Sequence, residues 1–183
     1  AGALPVYGRS RFLKKAYNAL VGFSILRNAS GHIAVTAAER SQFLDYGIAP
    51  ERVTVIPNGI EDMGHVGDRD DGRGSDVFRK AFSLGSAPFI LFMGRLNSIK
   101  GADLLLQAFC GLRGRLGEMH LVFAGPDEGL LAGMKDTIRA AAMEDYVHFV
   151  GYVGGQVKVD AYRQAEVLVV PSRQEAMSLV ALE

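Results

Sequence analysis

Two cations, Arg95 and Lys100, stand five residues apart in Gly94-Arg95-Leu96-Asn97-Ser98-Ile99-Lys100-Gly101. A guanidinium presents a planar fork of donors and an ammonium a mobile point charge, so the pair suits a diphosphate. Each cation within about 4 Å of a phosphate gains on the order of 4 kcal/mol of gross Coulomb energy at an effective dielectric near 20, before desolvation is subtracted. The alternative for such a stretch is a solvated basic loop. A second cluster, Pro171-Ser172-Arg173-Gln174-Glu175-Ala176-Met177-Ser178-Leu179-Val180-Ala181-Leu182-Glu183, holds two acids and runs into a helix. Free N–H groups at a helix start face an incoming anion, and the helix dipole favours it. At 1.5 Å per residue Glu183 lies roughly 7 Å along the axis from Ser178. A carboxylate at that distance can accept hydrogen bonds from sugar hydroxyls beside a phosphate. The alternative here is an exposed loop acid and an exposed helix acid.

These side chains act together only if the chain delivers them to one rim. From His32 onward, short β-branched runs alternate with helical ones, the signature of β-α units in a parallel sheet. Strands are predicted over 32–36, 52–56, 89–93, 119–124, 147–150 and 167–170. Helices are predicted over 37–46, 76–83, 102–112, 130–143 and 157–165. Strands as continuously apolar as Phe89-Ile90-Leu91-Phe92-Met93 and Val167-Leu168-Val169-Val170 suit a sheet covered on both faces. In such sheets ligands bind beyond the carboxyl ends of the strands, so chemistry belongs on the loops after residues 93, 124, 150 and 170.

Composition sets the frame. The chain has 183 residues, 49% hydrophobic and 22% charged, as in a soluble globular protein. Twenty Lys and Arg balance twenty Asp and Glu, so no global field draws it to nucleic acid. The single Cys110 excludes an internal disulfide and fits a buried thiol in a reducing cytoplasm. Ala1–Gly8 lacks the features of a signal peptide, and without an initial Met the sequence reads as starting inside a longer protein. The apolar segment 16–26 is too short to span a bilayer and reads as an amphipathic helix. Gly, Asp and Arg dominate 61–75, the expected boundary loop.

Gly94-Arg95-Leu96 with Lys100-Gly101, Ala124-Gly125-Pro126-Asp127, Phe149-Val150-Gly151-Tyr152-Val153, and Glu175 with Glu183 resemble, in that order, the C-terminal domain of the family-four glycosyltransferases. Val55-Ile56-Pro57-Asn58-Gly59-Ile60 resembles the segment by which that family's N-terminal domain crosses to its C-terminal one. The resemblance covers about residues 30–183 and implies an α/β GT-B fold. Residues 88–183 would form a Rossmann-like parallel sheet with flanking helices, the nucleotide-sugar-binding domain, incomplete. Residues 1–60 would be a remnant of the N-terminal Rossmann-like acceptor-side domain, and 61–87 a linker with a short helix.

The activity implied is retaining transfer of a sugar from a nucleoside-diphosphate sugar to a glycan or lipid acceptor, this stretch supplying mainly donor recognition. By the same resemblance Arg95, Lys100 and Glu175 form the catalytic set. The two cations would hold the diphosphate and stabilise the departing nucleoside diphosphate, and Glu175 would bind a donor-sugar hydroxyl. Glu183 would bind the ribose, backbone groups near Ser178 and Leu179 the phosphates, and the Tyr152-Val153 loop the base; Gly94, Gly125 and Met177 complete the donor set. Ala176-Met177 replaces the large aromatic or Gly usual after the first Glu, which bears on donor-sugar selectivity. No metal or cofactor is expected. A cytoplasmic location, with peripheral contact at the inner membrane face, follows from the same resemblance.

Competing assignments are a non-catalytic nucleotide or sugar-phosphate-binding module and a non-transferase GT-B relative such as a nucleotide-sugar epimerase or a phosphorylase. Asp68-Arg69-Asp70 lacks the apolar strand that a metal-binding acid pair needs. His32, His65, His120 and His148 show no ligand spacing with each other or with Cys110. Gly125-Pro126-Asp127-Glu128-Gly129 has the wrong spacing for a dinucleotide fingerprint and reads as a tight turn. The aromatic residues are scattered singly, which argues against a stacking surface for single-stranded nucleic acid.

Overall fold

The computed structural model describes residues 11–60 and 76–183. The loop expected over 61–75, with His65 and the Asp68-Arg69-Asp70 run, and the start at Ala1–Gly8 lie outside the described residues. Contacts divide the chain into two units. One contains the residues up to Ile60 together with Glu175–Leu179, and the other contains those up to Gln174 with Val180–Glu183.

The first unit opens with helix α1 (Arg11–Tyr17), a π-helical turn at Asn18–Gly22, and α2 (Phe23–Asn28). Instead of one amphipathic helix over 16–26, the segment is helical over a longer span, and none of its described side chains is buried. The wide turn is the physical reason: it breaks the 3.6-residue repeat on which a single apolar stripe depends. Phe12 and Leu20 stand 84% and 81% exposed. Strands β1 (His32–Ala34) and β2 (Val53–Val55) pair in parallel, with Ile33 opposite Thr54. Helix α3 (Ala37–Asp45) connects them. Thr36 caps it by accepting the Glu39 N–H at 3.1 Å, and the buried Glu39 carboxylate reaches back to the Val35 N–H at 2.7 Å. The sequence Thr36-Ala37-Ala38-Glu39 therefore satisfies one first-turn donor of this helix and, in return, the N–H just ahead of its cap.

The second unit carries α4 (Val77–Phe82), β3 (Phe89–Met93), α5 (Ala102–Leu112), β4 (His120–Ala124), α6 (Leu131–Ala140), β5 (Val147–Gly151), α7 (Gly155–Gln164) and β6 (Val167–Leu168). Its C-terminal residues complete the short α8 (Leu179–Leu182). The four strands form one parallel sheet in the order β5-β4-β3-β6.

Period-two alternation sorts the strand side chains onto two faces. Phe92, Leu121, Phe123 and Val147 pack with Leu105, Leu106 and Phe109 of α5 and Met134 and Ile138 of α6. Phe89, Leu91, Val122 and Ala124 pack on the opposite face with Phe78 of α4 and Ala161 of α7. Complete burial of each large apolar side chain is worth about 1.5–3 kcal/mol. The expectation of two covered faces thus holds for β3 and β4. It does not hold for β6, whose Val167 is 48% exposed because the strand lies at the sheet edge and has only two residues.

Helix α6 ends three residues before the predicted Met143. Ala142 turns into the left-handed region (φ 50°) and the Met143 N–H returns to the Ile138 carbonyl at 3.0 Å. That reversal buries Met143 in the core rather than continuing the helix.

His120 and His148 are distant in sequence, but β4 and β5 set them side by side. Their rings stack with centroids 5.0 Å apart, and Nδ1 of His120 lies 2.7 Å from Nε2 of His148. Burial lowers both pKa values, Arg113 and Arg79 lower that of His120 further, and His120 that of His148; Glu118 opposes the shift at His120, and Asp145 at both. A folded pKa below the unfolded value of about 6.5 means that the unfolded chain binds more protons as pH falls. Their stabilising contribution is therefore complete above about pH 6.5 and is lost as pH drops through the folded values. Urea denaturation should give a stability that is level from about pH 8 to 7 and declines between about pH 6.5 and 5. Replacing both histidines with Gln should flatten that decline, and an unchanged slope would remove them as its source.

Candidate functional site

In the four-stranded sheet the chain moves from β3 outward through β4 to β5, then returns to place β6 on the other side of β3. Strand order reverses between β3 and β6, which makes the carboxyl end of β3 a topological switch point. A crevice at such a switch point is where an open α/β sheet receives ligands.

The loop after β3 carries Arg95 and Lys100. Its anchor is Leu96, 2% exposed, whose N–H donates to the Pro126 carbonyl at 2.9 Å while its own carbonyl accepts the Glu128 N–H at 3.1 Å. Strand-like pairing thus extends past the strand ends and ties the loop after β3 to the loop after β4. Gly94 donates to the Ala124 carbonyl at 2.8 Å, and Gly125 to the Gly151 carbonyl at 2.7 Å. Gly125 has φ 149°, and a Cβ there would collide with the Gly94 carbonyl. Gly125, with no side chain, therefore allows the two neighbouring backbones to meet.

Arg95 donates from Nη1 alone to both carboxylate oxygens of Glu128, at 3.0 Å to Oε1 and 3.3 Å to Oε2. Asn97 adds a hydrogen bond from Nδ2 to Glu128 at 2.7 Å, and its Oδ1 accepts the Lys100 N–H at 2.9 Å. Hydrogen bonds from Asn97 and then Arg95 hold the Glu128 carboxyl below its ordinary pKa. Asp127 beside it accepts the N–H groups of Gly129, Leu130 and Leu131 at 2.8–3.1 Å, which caps α6 and lowers its own pKa.

The other predicted site residues are distributed as follows. Tyr152 is 80% exposed, and Val153 is buried against the α4 and α7 face of the sheet. Glu183 accepts from Lys158 at 2.7 Å and from Tyr162 at 2.8 Å. Burial alone would raise its pKa, but these two bonds and the Lys158 charge outweigh burial and lower it; the Tyr162 hydroxyl is pushed up by burial and by Glu183. Each carboxylate oxygen keeps a further lone pair for another donor. Glu175, Met177, Ser178 and Leu179 fall in the segment that groups with the first unit. The second unit therefore gathers Gly94, Arg95, Lys100 and Gly125 on adjoining loops, the Gly125–Gly151 hydrogen bond brings the start of the Tyr152-Val153 loop beside them, and Glu183 is held against α7. Asn97, Glu128, Lys158 and Tyr162 were not legible as site neighbours, because each meets its partner through tertiary contacts rather than a local motif. Among the described residues no group of three or more His, Cys, Asp or Glu could hold a metal ion.

The family model for glycosyl transferases group 1 matches residues 75–183, and the model for glycosyltransferase family 4 matches residues 3–62. The chain belongs to the group 1 glycosyl transferases. Among curated group 1 relatives it is 35% identical over 170 residues to a D-inositol 3-phosphate glycosyltransferase of Geodermatophilus obscurus, covering 87% of this chain and 36% of that one. It is 30% identical over 167 residues to the mannosylfructose-phosphate synthase of Agrobacterium fabrum, again covering 87% and 36%. The chain thus spans little more than a third of the length of these relatives.

Solved structures share the fold at low identity. Anabaena HepE in complex with UDP-glucose superposes with a TM-score of 0.72 at 18% identity, covering 94% of this chain and 46% of that one. WaaG, a glycosyltransferase involved in lipopolysaccharide biosynthesis, gives 0.67 at 19%, covering 98% and 52%. The predicted GT-B α/β architecture and the family-four resemblance are both borne out.

Gly101 ends the cation loop with φ 72°, and a Cβ there would strike the Pro171 carbonyl in the loop after β6. Gly101→Ala should cost more than the roughly 1–2 kcal/mol of a left-handed backbone alone, because the two loops must also part. Denaturant titration reads the loss, and a variant as stable as the parent would show that the two loops are not held in contact.

Proposed function

We propose that this chain is the donor-binding part of a retaining glycosyltransferase that moves a sugar from a nucleoside diphosphate to a glycan or lipid acceptor. The observation that carries the reading is the placement of Arg95 and Lys100 on the loop leaving β3, beside the switch point of a parallel sheet. Membership of the group 1 family supports it, as do the names of the relatives. A related fold holding UDP-glucose is consistent with the donor class.

In this reading the bond between the anomeric carbon and the diphosphate oxygen breaks, the acceptor hydroxyl oxygen bonds to that carbon on the same face, and its proton passes to the departing diphosphate. Negative charge grows on the leaving diphosphate as the bond lengthens, and Arg95 and Lys100 stabilise it there without a metal. Glu175 accepts a hydrogen bond from a donor-sugar hydroxyl. Glu183, held by Lys158 and Tyr162, uses its remaining lone pairs for the ribose hydroxyls. Gly125 and the backbone of the Tyr152-Val153 loop line the rest of the donor site in the second unit. Residues 1–60 belong to the acceptor-side domain, and the acceptor is bound mainly outside this chain. No helix among the described residues is long and apolar enough to cross a membrane. In this reading any membrane contact is peripheral, at the cytoplasmic face.

Titration with UDP, GDP and ADP beside the matching nucleosides tests the reading. Arg95→Ala and Lys100→Ala should each weaken diphosphate affinity by about tenfold to a hundredfold, the scale of one lost charge-assisted hydrogen bond, and leave nucleoside affinity unchanged. Equal effects on diphosphate and nucleoside would reduce the two cations to surface charge.

A further inference from the structure

Arg173 lies two residues before Glu175, in the loop after β6. Its side chain turns back across the switch point to the cation loop. Nη1 and Nη2 make a two-pronged ion pair with Asp103 in the first turn of α5, at 2.8 and 2.7 Å. Nη1 also donates to the Ser98 carbonyl at 2.6 Å, and the Arg173 backbone N–H donates to the Ile99 carbonyl at 2.8 Å. The glycine contact between Gly101 and Pro171 closes the same seam from the other side. Lys100 therefore sits between two residues, Ile99 and Gly101, that are each tied to the loop after β6.

The geometry points to Arg173 as a positioning residue: with Asp103 it clamps the cation loop to the loop after β6, so that Lys100 is presented at a fixed place beside the switch point. The assignment rests on the donor-binding reading of Arg95 and Lys100 and adds to it the device that sets their backbone. A lysine cannot replace this arginine, because one ammonium cannot hold both carboxylate oxygens of Asp103 and the Ser98 carbonyl in one plane. Asp103 itself is held ionised by the Arg173 hydrogen bonds and charge, which lower its pKa against the opposing effect of burial.

A pair that only stabilises the fold, or that acts only through its charge, makes a different prediction from a clamp. Asp103 is an anion near a loop proposed to bind anions. If its charge were all that mattered, neutralising it would strengthen diphosphate binding. If it holds Arg173 in place, neutralising it must weaken binding instead.

The test measures affinity for the diphosphate that the complete parent protein binds most tightly among UDP, GDP and ADP, beside the matching nucleoside. The variants are Asp103→Asn, Arg173→Lys, Arg173→Ala and the double variant Asp103→Asn with Arg173→Ala. A displaced binding group costs up to about a hundredfold, so each single variant should lose about tenfold or more for the diphosphate, with nucleoside affinity unchanged. The double variant should lose no more than Arg173→Ala alone, since one interaction is removed either way.

Tighter diphosphate binding by Asp103→Asn, additive losses in the double variant, or full rescue by Arg173→Lys would each overturn the clamp. The near-isosteric Asp103→Asn keeps the test meaningful if Arg173→Ala fails to fold. Loss of binding in Arg95→Ala and Lys100→Ala without loss in Asp103→Asn would remove the clamp and spare the donor reading. Absence of diphosphate binding by the parent would remove both.

Discussion

Strand β3 pairs along both of its edges, over five residues with β4 and over two with β6, and the rest of the second unit depends on that arrangement. Its side chains are buried alternately toward α5 and α6 and toward α4 and α7, so it cannot slip by one residue without exchanging the two faces. Because the register is fixed, the end of the strand is fixed too. Gly94 begins the next loop at a set height in the sheet, one residue past the Met93–Ala124 pair and bonded to the Ala124 carbonyl. The cations at 95 and 100 inherit their location from this burial pattern more than from any interaction of their own.

Most of the sheet was legible because its signal is local. The strand over 89–93 and the helix over 102–112 fall on the residues that alternation and periodicity assign them. Discrepancies arise where tertiary placement overrides local pattern. Val167-Leu168-Val169-Val170 reads as a buried strand, but it reaches the sheet at an edge and pairs over only two residues. The segment from Arg11 to Asn28 shows enough apolar residues for an amphipathic helix, but its π turn and exposure were not encoded in composition.

The site was legible in part for the same reason. Arg95 and Lys100 are neighbours in sequence, so their loop could be located from the end of an apolar strand. Glu128 lies on a different loop, and its pairing with Arg95 depends on how far the ladder between β3 and β4 continues past the strands. Arg173 and Asp103 are likewise separated by most of the sheet. Single-sequence periodicity carries no information on such pairs. The stacked histidines belong to the same class: two strands apart from any motif, they meet because Val122 pairs with His148.

In the donor-binding reading proposed above, the contact between Arg95 and Glu128 gives anion capture the character of an exchange. The guanidinium is half in water, and a carboxylate from the neighbouring turn already engages its Nη1. A phosphate arriving at Arg95 must displace or share that carboxylate, trading one internal partner for an external one. Because both members of the pair are substantially exposed, the displaced acid can return to solvent at little cost.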